Sequence, residues 1–374
     1  MLKKHLLIYS QDIGGAQFLL PIISQFISNL TNYESLEDNC NCLETNLVIH
    51  KNSESVFERS GLSYTSVNKI FSDSPVTSAD WMEYLIQNHI THLFCTTSSS
   101  FRDLTNCNLI FAANQQGVSS LGIFDHWKGV ERFFDGEGVA AYLPQRLICI
   151  DQFSKDFLRR SIGFECDISS IGHPHLEQIY RRRGRFQRRG NKQNGGTINI
   201  VLISQPDTAS RHFDSVFVRR CGRTRLVDVI IEEIQEGFSE RTDSYRITYR
   251  PHSKEALSTR LPDNCYIDYS KSWIETMTHN DVFIGFDSMA LIEASVVGKN
   301  CISIDQPWSS TIPITTIPNE NLFRIDALTT LKDIVLRMER ESVSCPPLSN
   351  RLKESATRGL KSLREFLTEI PKSA

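Results

Sequence analysis

The sequence predicts an α/β protein made of two Rossmann-like, doubly wound domains facing across a cleft, and three observations carry that expectation. Short apolar runs alternate with helix-periodic stretches through both halves of the chain, which is the rhythm of mainly parallel sheets. A basic, breaker-rich segment separates the two rhythms: Arg181-Arg-Arg-Gly-Arg-Phe-Gln-Arg-Arg-Gly-Asn-Lys192, followed by Asn194-Gly195-Gly196. At 374 residues the chain is long for a single core, so two domains are the natural division.

In chain order, strands are expected at 5–9, 46–50, 91–95, 118–124, 146–151 and 167–171. Helices fall between them at about 16–30, 53–60, 79–89, 103–116 and 153–162. Past the basic segment the strands are 197–203, 245–250, 281–285 and 300–304, with helices near 214–237, 272–279, 287–298 and 327–340. Residues 350–369 close the pattern as an amphipathic helix with Leu352, Ala356, Leu360, Leu363 and Phe366 on one stripe. The domains expected are therefore 1–178 and 197–345, joined by a linker at 179–196. Residues 346–374 pack back across the junction.

Composition narrows the class. Apolar residues make up 40% and charged residues 23%, as in a soluble globular protein, and no apolar run reaches the roughly 18 residues of a membrane helix. The opening Met1–Tyr9 reads as a first strand rather than a leader, and a cytoplasmic setting follows. The ten cysteines are scattered, and Cys40 and Cys42 lack the second pair that a zinc site needs, so buried thiols are expected. A net charge of −3 gives no global field for nucleic acid. Seven cations within 181–192 are the local exception: a solvated hinge, or a surface for anionic lipid at the inner face of the membrane.

Residues 249–293 carry the chemistry most clearly. One apolar run ends in Arg250-Pro251-His252, and another runs into Phe286-Asp287-Ser288-Met289 before helical spacing begins. The carboxyl ends of strands and the helix N-termini after them line the ligand crevice of an open α/β sheet. Arg250, His252, the Ser288 hydroxyl and the amides at 288–290 would then converge on a phosphate.

With its two halves and this phosphate grip the chain resembles the GT-B type of glycosyltransferase. Within it the resemblance is to the CDP-glycerol glycerophosphotransferases, the polysialyltransferase-like enzymes and related capsule polysaccharide enzymes. Arg250-Pro251-His252-Ser253, the strand Asp281–Gly285, Ser288-Met289, Glu293 and Gly298-Lys299 carry it, with Ser253 and Asn300 standing where that group usually has proline. The resemblance implies a nucleotide-sugar donor held by the second domain, with Glu293 on a ribose hydroxyl. A glycan or polyol acceptor, and the base, would belong to the first.

Three first-domain features are candidates for those roles. Asp12-Ile-Gly14-Gly15 follows the first strand, as a tight turn or as a glycine loop against the donor. Gly122-Ile-Phe-Asp125-His126-Trp127-Lys128-Gly-Val-Glu131-Arg132-Phe133 gathers charges of both signs after another strand; Asp125 or His126 could take a proton from an acceptor hydroxyl, and Trp127 could form a stacking wall. The alternative is Asp125 as a helix cap and Trp127 in the core. Asp135-Gly136-Glu137-Gly138 is a flexible acidic loop or a base, with Glu137 the choice. No histidines show ligand spacing, so no metal and no cofactor are expected. The function expected is a metal-independent, inverting glycosyltransferase of surface glycan synthesis. The alternatives are a nucleotide-sugar 2-epimerase or hydrolase of the same architecture, or a non-catalytic nucleotide- or glycan-binding protein.

Overall fold

The computed structural model describes residues 4–33, 43–72, 75–98, 103–127, 129–163, 166–186, 197–204, 226–237, 245–251, 265–270, 272–286, 288–304, 322–325 and 354–368. The chain divides into two compact units, Met1–Glu177 with Asn350–Ala374, and Gln178–Ser349.

The first unit is wound on seven parallel strands: β1 (Lys4–Ser10), β2 (Leu43–Ile49), β3 (Thr65–Ser66), β4 (His92–Thr96), β5 (Ser119–Phe124), β6 (Arg146–Cys149) and β7 (Asp167–Ser170). Their order is β3-β2-β1-β4-β5-β6-β7. The crossovers carry α1 (Ile13–Tyr33), α2 (Glu54–Glu58), α3 (Val67–Ile70), α4 (Ser78–Gln87), α5 (Thr105–Gln115) and α6 (Gln152–Ile162), with α7 (Pro174–Arg181) after β7. Side chains alternate across the sheet, as a strand buried on both faces requires. Leu7 and Tyr9 of β1 and Leu93 and Cys95 of β4 pack with Trp81 and Leu85 of α4 and Leu109 and Ile110 of α5. Leu6 and Ile8 are buried in the alternate register.

The second unit repeats the winding with β8 (Ile198–Ile203), β9 (Tyr245–Arg250), β10 (Cys265–Ile267), β11 (Val282–Gly285), β12 (Asn300–Ile304) and β13 (Leu322–Ile325) in the order β10-β9-β8-β11-β12-β13, again all parallel. Its helices are α8 (Leu226–Gly237), α9 (Trp273–His279) and α10 (Met289–Val296). Ile200, Leu202 and Ile284 face Ile230, Ile231 and Ile234 of α8. Val201, Ile203 and Phe283 face Met277 of α9 and Leu291 and Ala294 of α10. The two central strands are tied near the amino end of β11 by the Asp281 carboxylate, which accepts from the Asn199 N–H at 3.0 Å.

The basic stretch expected as a linker begins inside α7, and Arg181 and Arg182 are exposed while Ile179 and Phe186 are buried in the second unit's core. Residues 187–196 lie outside the described residues, as do the helix expected at 327–340 and Leu352. The last helix, α11 (Ser355–Thr368), belongs to the first unit and lies against α1. Gly359 allows the close approach: a Cβ there would sit 2.6 Å from Ile22 Cδ1 and 3.0 Å from Ile171 Cδ1. The buried Glu177 carboxylate accepts from the N–H groups of Glu354 and Ser355 at 2.9 and 2.8 Å, which holds the start of α11. Arg358 Nε donates to Ile171 O at 2.9 Å, and Phe366 meets the His92 ring edge-on. Among the described cysteines, Cys95, Cys107, Cys149, Cys166 and Cys301 are free and buried, and burial pushes the Cys149 and Cys166 thiols up to about 12. No helix among the described residues is long and apolar enough to cross a membrane.

Candidate functional site

A cavity of about 310 Å³ opens in the first unit, lined by residues from the ends of β1, β4 and β5. The strand order reverses between β1 and β4, so the cavity occupies the topological switch point, where open α/β sheets bind their ligands. Asp12 and Gly15 come from the β1–α1 turn, Thr96, Thr97 and Ser98 from the tip of β4, and Asp125, His126 and Arg132 from the loop after β5.

The backbone at this point is tightly specified. Ala16 N–H bonds Asp12 O at 2.9 Å to start α1, and Gly15 lies directly against Thr96, where a Cβ would come within 2.6 Å of Cγ2. At Gly14 a Cβ would stand 3.0 Å from Asp125 Oδ2, so this glycine lies against the carboxylate. Gln11 N–H donates to Thr96 Oγ1 at 3.2 Å and its side-chain oxygen accepts from Asn106 N–H at 2.8 Å. Asn106 Oδ1 in turn accepts from Ser98 N–H at 2.8 Å.

The loop after β5 is anchored by Trp127, 1% exposed, whose indole donates to Asp151 Oδ2 at 2.9 Å. The other oxygen of Asp151 caps α6 through Ser154 N–H. The stacking wall expected of Trp127 is therefore corrected: the ring is core, because its one polar atom has a buried partner on a neighbouring strand tip. Gly129, with φ +93°, turns the chain into the 3₁₀ segment Val130–Phe133. That turn brings Arg132 back over the Phe124 ring, 5.2 Å from its centroid. Arg132 Nη1 meets Asp125 Oδ1 at 3.3 Å and also donates to Thr97 O.

Asp125 is thus no helix cap but a cavity carboxylate. Burial pushes its carboxyl above the usual 3.8, the Arg132 guanidinium opposes that shift, and the nearby Asp12 charge adds to it. His126 lines the same wall, its ring edge-on to Trp127 at 5.9 Å. His173 lies deeper, 2% exposed against Phe18, and burial holds it neutral, well below the usual histidine value, with His175 and His126 adding to the effect.

The acidic loop is elsewhere. The Asp135 carboxylate accepts from Glu137 N–H and Val139 N–H, both at 2.9 Å, and closes a turn that leaves Glu137 exposed and outside the cavity lining.

In the second unit Arg250 stands at the end of β9, 22% exposed at its side chain, and Nη1 donates to Asp268 Oδ2 at 3.0 Å and to Ser270 O at 2.5 Å. Asp268 also accepts from Thr276 Oγ1 at 2.6 Å, from Ser270 N–H at 2.9 Å and from the Ser270 hydroxyl. Burial would raise this carboxyl, yet the Ser270 and Thr276 bonds and the Arg250 charge outweigh it and leave it below the usual 3.8. The guanidinium of Arg250, expected as a fixed positive charge, is thus braced through Nη1 by Asp268 and Ser270. Ser288 caps α10, its oxygen accepting from Ala290 N–H at 3.2 Å, so its hydroxyl too is engaged. Met289 begins α10 half-buried, and Glu293 is 5% exposed within it. His252 lies outside the described residues.

Sequence reading passed over Thr96-Thr97-Ser98 and Asp268, and it grouped Arg132 with Asp125 without pairing the two. The first was visible as a hydroxyl run just after an apolar strand. Arg132 and Asp268 act through partners 7 and 18 positions away, which spacing alone does not reveal. Among the described residues no group of three or more His, Cys, Asp or Glu side chains could hold a metal ion.

No protein-family model matches the sequence, and comparison with curated proteins gives no match either. Solved structures do match along the whole chain. A UDP-GlcNAc 2-epimerase from Methanocaldococcus jannaschii aligns with a TM-score of 0.62 at 11% identity, over 98% of this chain and 100% of that one. The Neisseria meningitidis UDP-GlcNAc 2-epimerase bound to UDP-GlcNAc gives 0.64 at 10%, over 96% and 100%. The calicheamicin glycosyltransferase CalG4 gives 0.53 at 9%, over 99% and 100%. At these identities the likeness is one of fold. The chain has the GT-B-like architecture of two Rossmann-like units.

Proposed function

We propose that the protein is a nucleotide-sugar-dependent glycosyltransferase, metal-independent and inverting, acting on a glycan or polyol acceptor in surface polysaccharide synthesis, as in the capsule and polyol-phosphate group that its motifs resemble. The observation that carries the reading is Asp125. It is a carboxylate at the switch point of the first unit, facing a cavity and made more basic than an exposed aspartate by burial. The acceptor hydroxyl gives its proton to Asp125 as its oxygen bonds the anomeric carbon, and the bond from that carbon to the nucleotide phosphate breaks. Arg132 holds the Asp125 carboxylate in place for this. The departing phosphate charge is met by Arg250 at the end of β9, by His252 two positions on in the sequence, and by the amides that open α10. Arg250 reaches it while braced by Asp268, with the remaining edge of its guanidinium.

One specific observation supports a second reading, a nucleotide-sugar 2-epimerase. Inverting a ring carbon requires one group to remove a proton and another to return it, and Asp12 and Glu131 line the same cavity as Asp125 and His126. The likeness in fold to epimerases agrees with it.

Incubation with UDP-, CMP- and GDP-sugars, with and without glycan acceptors, separates the readings. Released nucleotide with a glycosylated acceptor supports the transferase, and sugar isomerisation without release supports the epimerase. Nucleotide binding with no turnover removes both. In the same assays Arg250→Ala and His252→Ala should each weaken nucleotide binding by about 1.5–3 kcal/mol, the range for hydrogen bonds to charged groups.

A further inference from the structure

We infer that the first-unit cavity takes an uncharged, hydroxyl-rich ring and discriminates against the same ring carrying a carboxylate or phosphate. The inference deepens the proposed function by naming the ligand class of its proton-transfer site.

Charge comes first. Among the described residues, Asp12, Asp125 and Glu131 line the cavity against one guanidinium, Arg132, and the His126 imidazole. That guanidinium is already engaged by Asp125, by Thr97 O and, through Nε, by Gly129 O at 2.8 Å. A ligand anion would therefore meet like charge from Asp12 and Asp125, both half-buried, where repulsion is poorly screened, while the exposed Glu131 adds a weaker, screened contribution. The start of α1 would ordinarily favour an anion, but Asp12 stands immediately before it and supplies that negative charge already.

Hydrogen-bonding capacity comes second. Carboxylates only accept, so their natural partners are hydroxyl donors. Ser98, 4% exposed, lines the cavity, and its buried hydroxyl has no hydrogen-bond partner among the described residues. A buried hydroxyl left unpaired is costly, and a ligand hydroxyl satisfies it as donor or acceptor. Thr96 and Thr97 extend the same polar wall. At about 310 Å³ the space lies at the small end of ligand sites and suits one ring with its substituents.

The test is direct binding to the full chain, by saturation-transfer NMR and calorimetric titration. The probes are the methyl glycosides of glucose, galactose and mannose, each paired with its uronate, which differs only in the carboxylate. At least one neutral glycoside should bind ten-fold or more tightly than its uronate. Ser98→Ala should weaken that binding several-fold, and Glu131→Gln should narrow the gap between neutral and anionic partners. Equal or tighter binding of the uronates overturns the inference, as does binding by no member of either series. A protein that binds the neutral ring but turns over no nucleotide sugar keeps this inference and loses the proposed function. One that turns over nucleotide sugars while preferring uronates does the reverse.

Discussion

The two units share a winding, 3-2-1-4-5-6 in strand order, yet they leave their polar tips in opposite electrostatic states. In the first, Asp125 faces a cavity, is bonded by one arginine at 3.3 Å and is pushed toward its protonated form. In the second, Asp268 accepts four hydrogen bonds from Arg250, Thr276 and Ser270 and is held firmly ionised. The same topology thus yields a carboxylate poised to exchange a proton and a carboxylate spent on fixing a guanidinium. Topology chooses where a site can lie; the number of donors around the carboxylate decides what it can do there.

The largest effect that would break this contrast is on turnover. Asp125→Asn should lower the rate by about 10²–10⁴, the contribution of a proton acceptor, while nucleotide affinity stays near that of the wild type. Because the Asp125 carboxyl is raised, the active carboxylate is lost as pH falls through a value above 3.8, and this acid limb of the rate profile should vanish in the variant. In stability the sign is the reverse of the usual aspartate. The contribution of Asp125 is full below its unfolded value and lost as pH rises through the raised one, so melting curves should shift in favour of Asp125→Asn with increasing pH.

Asp268→Asn should be smaller and structural, costing about 1.5–3 kcal/mol in denaturant unfolding of the second unit, the range for hydrogen bonds to a charged group. Its depressed carboxyl contributes stability above the unfolded value that disappears as pH falls through the lower, folded one. An Asp268→Asn protein with unchanged stability would mean that the two carboxylates are not in the contrasting states described.

The smallest test compares glycines. At Gly15 a Cβ meets Thr96 at 2.6 and 2.8 Å, whereas at Gly285 the nearest atoms, of Ile203, are 3.2 and 3.3 Å away. Gly15→Ala should cost about 1–3 kcal/mol as overpacking and Gly285→Ala less. Thermal melts of the two variants should rank accordingly.

Strands such as β1, β4, β5 and β8 were legible because each is a largely buried apolar run. The edge pieces Thr65–Ser66 and Cys265–Ile267 were not, since two or three residues show no period, and Leu322–Ile325 was missed with them. Losing the strand at 265–267 also hid Asp268, and with it the true state of Arg250. The site was half legible for a related reason. Asp125 and His126 stand out beside the strand that delivers them, but whether Trp127 faces ligand or core is set by Asp151, 24 residues on. Glu137 stood in sequence as the substitute for Asp125, because both are acidic groups near glycines. Only the turn closed by Asp135 sends it outward to solvent.

Glu177 and the helix it caps have a consequence for the order of assembly. Lys4 and Leu367, 363 positions apart, are joined by a hydrogen bond within one unit, while the second unit is drawn from one continuous stretch. During synthesis the second sheet can close as soon as its own residues have emerged. The first sheet, whose strands emerge earliest, must wait for residues 355–368 before Glu177, Ile22 and the His92 ring find their partners. The unit that carries the cavity is the first to be made and the last to be finished.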